Sequence, residues 1–184
     1  MLVIVVQALF FFLPGYIANM FPVVLSKISF LDFLKKPVDG GRKWGHLTVF
    51  GEHKTYFGFI VGVGGALIVG LIQALIFENV AGAQWLFLFP YTIANGLVLG
   101  FLLGFGSLFG DLMKSFVKRR LNIKSGSSFF PFDQLDFVVG GLLFGAWVYF
   151  PSWWHVLVLV LLTPLLHLIS NVIGYKMGLK KVWW

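Results

Sequence analysis

The chain is 184 residues long, 59% apolar and 18% aromatic, with 14 Lys or Arg against 7 Asp or Glu and a net charge of +7. Soluble domains are roughly a quarter charged; at 11% this chain cannot clothe a water-facing surface, which excludes a soluble globular enzyme, a disordered tail and a coiled coil. The absence of cysteine excludes a disulfide scaffold, a thiol nucleophile and a Cys-based zinc site, and a mean hydropathy of +0.91 assigns the positive balance to the loops of a multi-span membrane protein, not to a nucleic-acid surface.

A crossing helix needs about 20 apolar residues. The first uncharged stretch, about 2–25, is interrupted by Pro14-Gly15. No basic segment precedes it, so it reads as a span and not as a secretory leader. Charges then gather between Lys27 and Lys54. Within them SFLDFLKK, residues 29–36, sets Phe30, Leu31, Phe33 and Leu34 beside Asp32, Lys35 and Lys36, the pattern of a short interfacial helix. A second span covers about 56–77 and a third about 85–109. Gly96, Gly100 and Gly104 in the third, and Gly58, Gly62, Gly64, Gly65 and Gly70 in the second, let helix backbones approach closely in lipid. Residues 137–173 carry no formal charge, too long a run for one crossing. Pro151-Ser152 divides it into a fourth span, about 133–150, and a fifth, about 153–173.

The expectation is an all-α integral membrane protein, one domain over 1–184 with five transmembrane helices. With five crossings, the first loop, the second loop and the C-terminal tail share one side and hold all 14 Lys and Arg. The positive-inside rule then sets the N-terminus outside, and the C-terminus and both large loops in the cytosol.

The second loop, Gly106 to Phe137, carries the chemistry. No breaker follows the third span until Ser125-Gly126, so its helix is expected to run on past the membrane edge. Asp111, Ser115 and Lys118 then share one face. Asp133 and Asp136, three apart, open the fourth span at its positive dipole end. Three carboxylates at one depth form a hard oxygen set suited to Mg²⁺, which takes one or two carboxylates plus substrate phosphates. Lys118, Arg119 and Arg120 suit the phosphate oxygens. The plainer role for these acids is as helix caps or ion-pair partners of residues 118–120. In the first loop Lys54 precedes the second span as a further phosphate partner, and Thr55 either caps that helix or binds phosphate. His46, His53, His155 and His167 show no metal-ligand spacing.

Gly110-Asp111, Ser115-x-x-Lys118-Arg119 and Asp133-x-x-Asp136 together resemble the signature of the phosphatidate cytidylyltransferase family. Lys54-Thr55 and Gly58-Phe59 resemble its K-T-W-x-G-F element, with Tyr56 in place of the tryptophan. Pro131-Phe132-Asp133 stands where bacterial members have a glycine- and histidine-rich stretch, so nothing is carried over from that loop onto 125–131. The short chain, Pro14 to Asn19 and Ile93 to Gly96 resemble the archaeal branch, which forms CDP-archaeol. The resemblance implies a Mg²⁺-dependent transferase that moves CMP from CTP to an isoprenoid ether-lipid glycerol phosphate, releasing pyrophosphate, within a lipid bilayer. It implies Asp111, Asp133 and Asp136 as metal-binding and catalytic acids, with Lys118 and Arg119 as catalytic cations. Lys54, Thr55, Ser115 and Arg120 are implied as binding residues for CTP or lipid phosphate. The alternatives are a cytidylyltransferase acting on ester lipids, and a small lipid or ion transporter. A transporter wants ionisable residues at mid-span, where the sequence offers only His155 and His167.

Overall fold

In hydrocarbon a backbone must satisfy its own polar groups, and the apolar runs do so as helices. The structure, a computed structural model, describes residues 1–27, 29–123, 127 and 129–179; the side chains of 27–31, the Ser125-Gly126 breaker, Lys124 and the tail lysines 180 and 181 lie outside it. The helices are α1 (Leu2–Phe11), α2 (Leu13–Val24), α3 (Tyr56–Asn79), α4 (Ile93–Arg120), α5 (Phe132–Gly145) and α6 (Trp153–Lys176). A small antiparallel hairpin, β1 (Lys43–Trp44) and β2 (Leu47–Thr48), rises from the loop between α2 and α3.

The break between α1 and α2 follows from Pro14. Proline has no N–H to offer the Phe10 carbonyl four residues back, so α1 ends and the chain bends 54° into α2. The freed Phe10 carbonyl accepts instead from Gln73 Nε2 on α3, at 2.5 Å. That contact accounts for a glutamine only 1% exposed in the middle of an apolar helix. Thr55 caps α3 by accepting the Gly58 N–H at 3.2 Å, and Thr92 with Asn95 forms a capping box on α4.

α4 is the central element, packed against α2, α3 and α5. Where α3 crosses it, a Cβ on Gly100 would press on the Ala66 carbonyl. Where α5 crosses it, Gly106 and Gly110 meet the backbone of Gly140 and Asp136, leaving no room for side chains. α4 continues unbroken past the apolar stretch, as its sequence predicts, and stops at Arg120 in a Schellman turn. Asn122 there takes a positive φ of 58°, and the Ile123 N–H returns to the Lys118 carbonyl at 3.0 Å.

The five-span expectation fails. Among the described residues, α3, α4 and α6 are long and apolar enough to cross a bilayer, with the bent α1–α2 pair as a fourth at most. The expected fourth span, 133–150, is α5, whose 14 residues end at Gly145 and rise only about 21 Å. Beyond it the chain turns so that the Tyr149 ring stacks on Phe89 at 4.8 Å and meets the edge of Phe11 at 6.2 Å. Similarly, α4 begins at Ile93 and not at 85, because Pro90 holds the preceding chain extended after a short 3-10 turn at Gln84–Leu86. Freedom from charge marks burial in lipid, which requires helix here, or in an aromatic cluster, which does not. The assignment of the N-terminus to the outside and of the C-terminus to the cytosol depended on five crossings and falls with that number. The expected interfacial helix is a 3-10 segment, Ser29–Leu34.

Two unlike ends result. Phe10, Phe77, Phe87, Phe89, Tyr91 and Tyr149 interlock at one, with ring centroids 4.6–5.0 Å apart. The charged loops, the C-terminal turns of α4 and the first turn of α5 form the other.

Candidate active site

Gly110 places the site. A Cβ there would collide with the Asp136 carbonyl, so glycine lets the first turn of α5 lie directly on α4. Asp111 of α4 therefore faces Asp133 and Asp136 of α5. All three carboxylates converge on Lys114, whose Nζ lies 3.0 Å from Asp111 Oδ1, 3.1 Å from Asp133 Oδ1 and 2.8 Å from Asp136 Oδ2. Lys118 Nζ donates to both oxygens of Asp133, at 3.1 and 3.3 Å, and to the Ser127 carbonyl at 2.6 Å. Lys54, just before α3, pairs with the second oxygen of Asp111. Three ammoniums and three carboxylates thus neutralise one another.

These groups are largely shielded from water. The Asp136 side chain is 6% exposed and that of Lys118 8%, so removing one partner strands a desolvated charge. Backbone donors supplement the pairs: the Phe129 N–H reaches Asp133 at 2.6 Å, and the Phe137 N–H reaches Asp136 at 2.8 Å. Burial opposes the charge on Asp133, yet Lys114, the Phe129 N–H and Lys118 outweigh it and hold the carboxyl below its usual range. For Asp136, burial and the neighbouring Asp111 charge prevail over Lys114 and push the carboxyl up to about 6.

A cleft opens above the cluster, lined by His53, Lys54, Lys114, Ser115, Lys118 and Arg119. Arg119 is buried, and its Nε has no hydrogen-bond partner among the described residues. The cleft thus has cations on its walls, three of which (Lys54, Lys114 and Lys118) also pair with the acids, an arrangement that suits a polyphosphate. Ser115 lines it while donating its hydroxyl to the Asp111 carbonyl at 2.8 Å.

The structure therefore brings together Asp111, Ser115, Lys118, Arg119, Asp133, Asp136 and Lys54. Thr55 caps α3, its hydroxyl oxygen accepting the Gly58 N–H. Arg120 turns to the hairpin, donating to the Trp44 and Thr48 carbonyls at 3.0 Å each and lying over the rings of Trp44 and Phe116. Sequence reasoning missed Lys114, although it sits three residues from Asp111 and four from Lys118, on the same helix face. It also missed His53, for which spacing gave no signal.

Among the described residues no three His, Cys, Asp or Glu close into a metal cage as they stand. The aspartates are nevertheless the hard oxygen donors that Mg²⁺ takes. Their common centre is filled by the Lys114 ammonium. The donor set fits a divalent ion in chemistry, provided that Lys114 withdraws.

The long apolar helices are those of a multi-pass membrane protein. The family model described as "CarS-like: CDP-archaeol synthase" matches residues 1–184. A CDP-archaeol synthase of Thermococcus gammatolerans is 38% identical over 96% of this chain and 95% of its own length. Another, of Methanocaldococcus jannaschii, is 36% identical over 96% of each. A solved structure described as an intramembrane enzyme for archaeal membrane lipid biosynthesis superposes with a TM-score of 0.73, at 30% identity over 90% of this chain and 92% of that one. The chain belongs to the CDP-archaeol synthase family.

Proposed function

We propose that this protein transfers CMP from CTP to an isoprenoid ether-lipid glycerol phosphate, giving CDP-archaeol and pyrophosphate. The observation that carries the reading beyond family membership is the convergence of Asp111, Asp133 and Asp136 on Lys114, which itself lines a cleft walled by Lys54, Lys118 and Arg119. The lipid phosphate oxygen forms the new bond to the α-phosphorus of CTP as the bond to pyrophosphate breaks. A phosphate monoester has a second pKa near 6 and is mostly dianionic at neutral pH, so its attack needs no general base.

Lys54, Lys118 and Arg119 neutralise the triphosphate and the leaving pyrophosphate, the positioning and charge stabilisation on which phosphoryl chemistry relies. Asp111, Asp133 and Asp136 would hold Mg²⁺, which when bound supplies charge neutralisation at the reacting phosphates. Thr55 fixes the start of α3 and so the position of Lys54, while Arg120 tethers the hairpin beside the cleft. The site faces the cytosol, where CTP is found, since the described Lys and Arg crowd its end of the bundle. The isoprenoid chains enter sideways from the bilayer.

The test is incubation of purified protein with labelled CTP, Mg²⁺ and a panel of lipid phosphates. Labelled CDP-lipid is expected with ether isoprenoid acceptors and not with ester acyl ones. Absence of CDP-lipid from every acceptor overturns the reading.

A further inference from the structure

The acids proposed to bind metal are already occupied, and by a residue with a second place to go. Lys114 Nζ lies 2.8–3.1 Å from one oxygen of each of Asp111, Asp133 and Asp136. Among the described residues it is the cation that touches Asp136. Lys114 also lines the cleft, between the cationic side chains of Lys54, Lys118 and Arg119.

We propose that Lys114 is a displaceable positioning residue: its ammonium holds the three aspartates together in the metal-free protein and swings into the cleft to grip nucleotide phosphate when a divalent cation takes its place. The point between the three carboxylates that Lys114 Nζ fills holds one cation, so a divalent ion seated there must displace it. A lysine suits the exchange, since its charge is compact and rides on four flexible methylenes. The backbone need not move: Lys114 lies within the unbroken helix α4, so side-chain rotation alone shifts the charge.

Nucleotide favours the exchange further. The three ammoniums and three carboxylates cancel in the free protein. A divalent ion at the acids releases the Lys114 charge toward the cleft, where an incoming triphosphate compensates it. Metal and CTP therefore assist one another, and linkage makes that assistance reciprocal. A fixed salt-bridge strut at this position would give no such coupling.

The inference rests on the metal- and CTP-dependent reading above, so its test uses the full-length protein in detergent with Mn²⁺ alone as the first probe. Free Mn²⁺ measured by electron paramagnetic resonance should show Lys114→Gln binding the ion about tenfold more tightly than the unaltered protein, without nucleotide. Mn²⁺ should also tighten CTP binding about tenfold less in the variant than in the unaltered protein. Equal or weaker Mn²⁺ binding by Lys114→Gln overturns the proposal, even where the unaltered protein makes CDP-lipid normally. A second measurement needs no variant: acetylation of Lys114 by an amine-reactive reagent, read by peptide mass spectrometry, should be faster in Mn²⁺ than in EDTA. An unchanged rate overturns the proposal as well.

Discussion

The two ends of the bundle are built on opposite principles. At the aromatic end, Phe87 touches Phe10, Phe77 and Tyr91, and Tyr149 touches Phe11 and Phe89, so each ring has several neighbours. Removing one ring leaves the rest packed. At the charged end a single ammonium joins three carboxylates from two helices, and no duplicate exists among the described residues. Stability is spread across many weak contacts at one end, whereas the other is held by a few strong ones.

The sharpest way to break this comparison is at the acids. Asp111→Asn, Asp133→Asn and Asp136→Asn should each lower CMP transfer by about a hundredfold or more, the scale of losing a charge-stabilising group. Insertion into membranes and elution in detergent should stay normal. Near-full activity in all three would remove the charged end from the chemistry altogether.

Gly110→Ala tests whether geometry, as well as charge, makes that end fragile. Its Cβ would collide with the Asp136 carbonyl and part α5 from α4, costing about 1–3 kcal/mol of stability, with activity falling about tenfold or more, the scale on which small misplacements slow catalysis. Gly64→Ala is the control, since a Cβ there meets nothing within 4 Å, and should be silent in both thermal unfolding and CDP-lipid formation. The smallest effect belongs to the aromatic end. Tyr149→Leu should cost about 1 kcal/mol of stability and lower the melting temperature, while CMP transfer below that temperature keeps its rate. A large loss of activity there would mean that the ends are not independent.

Much of the site was legible in the sequence because it lies on helices. Asp111, Ser115 and Lys118 fall in phase whatever the surrounding fold, and Asp133 and Asp136 share a face by spacing alone. What spacing along one helix does not report is the approach of two helices. Lys114 became central only once Gly110 had brought α5 onto α4, and its meeting with Asp133 and Asp136 is tertiary. The miscounted spans have a related cause. Residues 146–150 and 85–90 are as apolar as any helix, but their rings are drawn to Phe11, Phe10 and one another, and Pro90 and Pro151 bar helix continuation. Arg120 shows the converse, a cation in sequence with Lys118 and Arg119 whose side chain the hairpin claims.

The contact between Gln73 and the Phe10 carbonyl reaches beyond packing. The amide is required there because Pro14 withholds the N–H that would otherwise meet that oxygen. Positions 14 and 73 are therefore energetically linked, although 58 residues separate them. A descendant that replaces the proline regains the intrahelical partner and is free to make residue 73 apolar; one that loses the glutamine first strands a carbonyl in a water-free interior. The order in which such a chain can change is thus written into one hydrogen bond.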